Sequence, residues 1–337
     1  MRSLLTALLL VPAALTAQNL PRAATVIPVI DSMARAFLAD SGAPSVSIAV
    51  VRGRDTLAMR AWGKADLEQD VAATARSVYR IGSVTKQFTA AAVMQLVEAG
   101  TVRLDDSIAT WLPRLPLAWH VVTVRQLLNH TSGIPSYTDI GDRWQRRWGE
   151  EMTPDTLVAL TAAAPMWFAP GSKGQYGKTG DIVLGMLIEK LTGRSWGDNI
   201  ATRFAKPLGL TDTGNCLNGP VIPRRVHGYE REASGWGNAA YLAMSQPFSA
   251  GALCSTIGDL SRWNHAFHTG KVVSSASYEA MTTPTGAAAS GVLRYGFGLG
   301  RDSIAGRVII THGGGIHGFS TGNAWIPSAE LSITVLT

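Results

Sequence analysis

The chain has 337 residues, 46% of them hydrophobic, and a formal net charge of +6. That is enough to fill one large core or two small ones. The basic residues are scattered and match no nucleic-acid-binding motif, and the seven histidines and two cysteines form no His-Glu-x-x-His or Cys-x-x-Cys pattern. A nucleic-acid partner and a metal centre are therefore not expected, and no cofactor motif stands out.

Arg2, the apolar stretch 4–15 and the small pair Thr16-Ala17 read as a secretory signal peptide over residues 1–17. Residues 18–337 are then the mature domain, periplasmic or secreted, with no integral membrane segment after cleavage. Cys216 and Cys254 form a disulfide in that compartment or remain two buried thiols; spacing alone does not decide. Periodicity predicts an amphipathic helix over 26–38 and a hairpin of strands 45–52 and 56–63 around Gly53-Arg54-Asp55. A helix begins near Ser83 and stops at Gly100, a fitting C′ residue. Residues 101–260 read as mostly helical, including 155–164 and 180–191. Strands return at 307–311, 319–326 and 331–336, the last two around the turn 327–330. Strands at both ends flanking a helical region predict an α+β fold whose antiparallel sheet is built from both chain ends.

Ser83-Val84-Thr85-Lys86 carries the chemistry. Residues three apart share a helix face, so Lys86 reaches the Ser83 hydroxyl and can take its proton if burial or nearby positive charge keeps the amine neutral. Backbone N–H groups at the helix start suit a developing oxyanion. The bland alternative, a serine N-cap with an exposed lysine one turn on, fits the tetrapeptide alone. Its companions argue otherwise: Tyr176-Gly177-Lys178 after a Pro-Gly loop, and His312-Gly313-Gly314-Gly315 after the strand-like run 307–311.

These motifs, with the context phrases at residues 123–134 and 254–263, resemble the serine β-lactamase-related family of class C β-lactamases, D-alanyl-D-alanine carboxypeptidases, D-aminopeptidases and related esterases. The resemblance runs from about Thr25 to the last residue. It implies that Ser83 is the nucleophile, Lys86 the base or relay, and Tyr176 a proton carrier. It further implies that the N–H groups of Ser83 and Gly315 form an oxyanion hole, and that Lys178, His312, Gly313 and Gly314 bind substrate. A phenol of ordinary pKa near 10 is a poor base, so Tyr176 requires surrounding cations. Lys178 stands where the family usually has asparagine. A lysine there is expected to favour neutral Lys86 and anionic Tyr176, and to weaken recognition of the amide side chains of β-lactams and peptides. His312 in place of lysine tilts the expectation toward peptidase or esterase activity. His130 is expected to hold a turn below the site. Family members usually continue into a C-terminal helix over the sheet; the chain ends at Thr337, which reads as a truncation.

The expected partner is a small-molecule or peptidoglycan-peptide substrate. Two rival readings differ in class. A nucleotide-binding P-loop around Gly177-Lys178-Thr179 fails because Ser172 stands where its first glycine belongs. A penicillin-binding sensor that is acylated at Ser83 without turnover uses the same motifs. The cluster Arg143, Arg146 and Arg147 beside Trp144 and Trp148 reads as a solvated face rather than a polymer-binding patch.

Overall fold

The computed structural model describes residues 22–337 apart from Ser41, Gly291 and Val292; the expected signal peptide lies outside the described residues. The described residues form twelve strands: β1 (Ser45–Arg52), β2 (Asp55–Asp66), β3 (Val71–Ala72), β4 (Tyr79–Arg80), β5 (Gly214–Asn215), β6 (Tyr229–Glu232), β7 (Gly235–Asn238), β8 (Leu253–Ser255), β9 (Gly300–Ile304), β10 (Arg307–Ile316), β11 (Phe319–Ile326) and β12 (Leu331–Leu336). Seven make one antiparallel sheet in the order β3-β2-β1-β12-β11-β10-β9. The two chain ends do share it, since β1 pairs with β12 from Ser47↔Leu336 to Arg52↔Leu331.

The sheet is covered on both faces. Helix α1 (Ala23–Ala39) packs Ile30 and Ala34 against Val46, Ile48 and Val50 of β1 and against Ile333 and Val335 of β12. The intervening Ala49 faces the other way, into the main core with α2 (Thr85–Glu98) and α4 (Ile257–His268). This alternation is why β1 is buried along nearly its whole length. Helix α2 is buried almost all round, packed among other helices that include α3 (Thr179–Thr192). It ends as expected: Gly100 takes φ +70, its N–H donates to Val97 and that of Thr101 to Leu96, a Schellman closure. No described helix is long and apolar enough to cross a membrane.

The structure departs from the sequence reading in several places. Arg52 pairs directly with Asp55, so the hairpin turn is only Gly53-Arg54, with Gly53 at φ +55. The expected strand over 307–311 continues to Ile316. Residues 101–260, read as mostly helical, also hold β5 and β8, which join β4 in a short ladder, and the hairpin β6–β7. Cys216 and Cys254, left open by their spacing, are joined in a disulfide with Cα atoms 5.1 Å apart. Cys254 lies on β8, which pairs through it with Arg80 of β4, just ahead of Ser83.

A buried polar network fastens α4 to the sheet. Asn264 and Asn323 exchange two side-chain hydrogen bonds of 2.7 Å; Asn264 also donates to Ser332 Oγ, and Thr334 Oγ1 donates to Asn323. Buried amides left without partners cost their full desolvation. Asn323→Ala is expected to lower unfolding stability by about 2–4 kcal/mol in chemical denaturation; a loss within experimental error contradicts the network's role.

Candidate active site

Ser83 sits in a 3-10 turn (Gly82–Val84) that leads into α2. Gly82 adopts φ +49, and a side chain there would press on the backbone of Gly315 on β10, 3.0 Å from its nitrogen. Gly314 is still more confined, since an added Cβ would collide with the Ile81 carbonyl. Glycine at 82 and 314 is thus what lets β10 lie directly against the serine turn. Strand β9 pairs with β10 only as far as Thr311, so the stretch from His312 to Ile316 has no partner strand on that side.

Lys86 is wholly buried. Its Nζ donates to Ser83 Oγ at 3.2 Å and to the Ala250 carbonyl at 2.7 Å, and lies 3.8 Å from Asp181 Oδ2. Burial lowers the lysine pKa and the Asp181 charge raises it again; the net direction is down. Asp181, in the first turn of α3, is driven the other way, up to about 7, by burial. Its Oδ2 makes no hydrogen bond. Desolvation thus disfavours the ionised form of both groups. Sequence reasoning missed Asp181, which reads as an ordinary acidic residue at a helix N-terminus. The available signal was its place, one turn after Tyr176, on a helix otherwise buried and apolar.

Tyr176 lies behind this pair, its ring centroid 5.1 Å from Lys86 Nζ. The rings of His130, Tyr295 and His312 surround it at 4.5, 5.9 and 6.0 Å. These are not the cations that a phenolate needs. Burial, then Lys86 and His312, hold the His130 pKa well below normal; burial, then Lys86, brings His312 to about 3. Burial, then the Asp181 charge, raises the Tyr176 pKa, with only the Ser83 hydroxyl opposing. Burial thus favours the neutral phenol of Tyr176, the opposite direction to the expected anion. His130 does hold a loop, accepting from the Gln175 N–H, and also packs its ring on Tyr176.

A cavity of about 500 Å³ opens over Ser83. Lys178, Gly315, Tyr137, Trp144 and Ala250 are among its walls. Lys178 faces the cleft, donating to Thr138 Oγ1 at 3.0 Å, with its pKa lowered by burial and then by Lys86. His312, Gly313 and Gly314 do not line this cavity. The His312 ring is instead held by Tyr295 Oη at 2.7 Å and the Gly313 carbonyl at 2.6 Å. In the arginine cluster, Arg146 pairs with Asp142 and Arg147 with Glu150, whereas Trp144 hydrogen-bonds Gln246 and turns to the cleft. No group of three or more potential metal ligands occurs among the described residues.

Comparison with known proteins agrees with this architecture. Penicillin-binding protein 4* of Bacillus subtilis is 28% identical over 295 residues, 82% of this chain and 64% of its own length. A D-aminopeptidase of Gluconobacter oxydans is 24% identical, across 87% of this chain and 55% of its own length. The chain thus spans between half and two thirds of these two curated relatives. A D-stereospecific amidohydrolase from Streptomyces superposes with a TM-score of 0.79 at 31% identity, over 90% of this chain and 91% of that one. The Beta-lactamase family model matches residues 30–337. With a serine turn, a buried lysine and strand β10 brought together on this sheet, the chain belongs to the Beta-lactamase family.

Proposed function

We propose that the chain is an exported serine hydrolase that cleaves ester and amide bonds through an acyl-enzyme on Ser83. The observation that carries this reading is the fully buried Lys86 amine at 3.2 Å from the Ser83 hydroxyl. A buried amine with a lowered pKa is available as a neutral base. Lys86 takes the hydroxyl proton as Oγ attacks the substrate carbonyl. The N–H groups of Ser83 and Gly315 receive the oxyanion, and Lys86 passes its proton to the leaving group as the acyl-enzyme forms. Water then attacks the acyl-enzyme, Lys86 again accepting the proton and returning it to Ser83 Oγ as the bond from Oγ to the acyl carbon breaks. Tyr176, as a neutral phenol, donates a hydrogen bond rather than acting as the base. Asp181 stabilises the ammonium that forms on Lys86 during each proton transfer. Export is supported by the disulfide and by the signal-like residues 1–17.

Lys178 bears on the substrate. Its ammonium, held toward the cleft by Thr138, has no acceptor to offer a substrate amide N–H. His312 is neutral and turned to Tyr295, so it supplies no fixed charge for a β-lactam carboxylate. Lys178 thus favours simple esters over the amides of peptides and β-lactams, and the neutral His312 weighs further against β-lactams.

Three measurements test this reading. Initial rates on a p-nitrophenyl ester and on nitrocefin are expected to show ester turnover that falls at least about a thousandfold in Ser83→Ala and Lys86→Ala. Turnover unaffected by Ser83→Ala contradicts the mechanism, and acylation without turnover restores the sensor reading. Asp181→Asn removes the charge that raises the Lys86 pKa. The acid limb of kcat/KM is then expected to move to lower pH while kcat drops roughly ten- to a hundredfold; an unmoved limb means that Asp181 does not act on the base. Lys178→Asn is expected to raise the ratio of amide to ester hydrolysis, and an unchanged ratio removes Lys178 from substrate selection.

A further inference from the structure

The catalytic cavity has a neighbour. Leu242, His317 and Phe319 line both it and a second cavity of about 550 Å³. Arg80 and Arg225 stand in the wall of the second. The backbone puts them there: Val78 and Arg225 form a parallel bridge, the Val78 N–H donating to the Arg224 carbonyl and the Val226 N–H to that of Val78. Arg80, two residues further along β4, therefore stands beside Arg225.

Neither guanidinium has an ion-pair partner among the described residues. Arg80 Nε is buried with no hydrogen bond, and the guanidinium carbon lies 5.6 Å from the centroid of the Phe319 ring. The Arg225 guanidinium donates to the Leu217 carbonyl at 3.1 Å and to no other group among the described residues. Adjacent Arg224 behaves differently, since it is neutralised by Asp212. Burial and the charge of Arg225 both disfavour the Arg80 cation. Of the lining residues Glu151 alone is acidic; it is exposed and pairs with neither arginine. A half-buried pair of like charges with an unused buried donor is costly unless an anion joins it. Guanidinium forks match the planar face of a carboxylate or the edge of a phosphate.

We propose that this second cavity is an oxyanion-binding subsite continuous with the cleft, taking a carboxylate that the substrate carries away from the bond cleaved at Ser83. Arg80 lies three residues before the nucleophile on β4, so an anion held there is fixed relative to Ser83. The substrate role rests on the serine-hydrolase reading; anion binding does not.

The test has two arms on the full chain. In the first, Ser83→Ala protein is titrated calorimetrically with glutarate and with inorganic phosphate, and again after adding Arg225→Gln. Binding is expected to weaken about tenfold or more in the double variant and to weaken with added salt. In the second, p-nitrophenyl monoesters of dicarboxylic acids of increasing length are compared with neutral alkanoyl esters of equal length. The best acid-bearing ester is expected to exceed its neutral counterpart about tenfold in kcat/KM. Arg225→Gln should abolish that preference at an unchanged neutral-ester rate, and Arg225→Lys should keep part of it. Failure of both anions to bind, or binding indifferent to Arg225→Gln, overturns the subsite. Binding without any preference among the esters overturns its substrate role. Absence of all ester turnover defeats the serine-hydrolase reading and with it the substrate role, while the titration still decides whether the subsite exists.

Discussion

A lysine amine with no contact with water is the constraint around which the site is arranged. Leaving an ammonium in a protein interior without partners is prohibitively expensive, so the group must lose its proton or be matched closely. Here burial lowers the amine's pKa, and the Ser83 hydroxyl, the Ala250 carbonyl and, 3.8 Å away, the Asp181 carboxyl stand around it. Each of these comes from a different part of the chain. Helix α2 fixes the lysine and serine, α3 brings the carboxylate, and the turn at Ala250 brings the carbonyl. The burial of α2 follows from the same need, since an exposed helix would let water solvate the amine and restore its ordinary pKa.

The rest of the fold holds those three sources in register. Thr89 Oγ1 donates to the Ser249 carbonyl, and Ser249 Oγ donates to the Asp181 carbonyl, so α2, α3 and the Ala250 turn are stitched together directly. On the opposite side, β10 is pressed against the serine turn through Gly82 and Gly314, where no side chain fits. The strand's position is set in turn by β11 and β12, which the Asn264–Asn323 network ties back to α4. Chemistry and packing are therefore hard to separate in this molecule.

How much of this was legible in the sequence follows from the kind of signal each part leaves. Strands β1, β11 and β12 are bounded by turn residues, and their limits were readable to the residue. Strand β10 was cut short at Thr311 because His312 and three glycines carry no β-propensity; their place in the sheet is imposed by β11. The two- to five-residue strands β4, β5, β8 and β9 are too short to show a period. In the site, Ser83 and Lys86 were legible because their spacing is local. The protonation of Tyr176 was not, because it depends on which rings enclose it and whether they are charged. The arginine and tryptophan cluster reads as one face in sequence, yet the structure sends Arg146 to Asp142, Arg147 to Glu150 and Trp144 to the cleft.

The most direct test of the account is to trap the covalent intermediate. Protein mixed with a p-nitrophenyl ester, quenched in acid within the first turnovers and digested, can be read by peptide mass spectrometry. The expected result is an acyl group on the peptide containing Ser83, absent in Lys86→Ala protein quenched at the same time. Acylation at another residue, or on Ser83 at the same rate without Lys86, would contradict a buried lysine as the base that activates the serine.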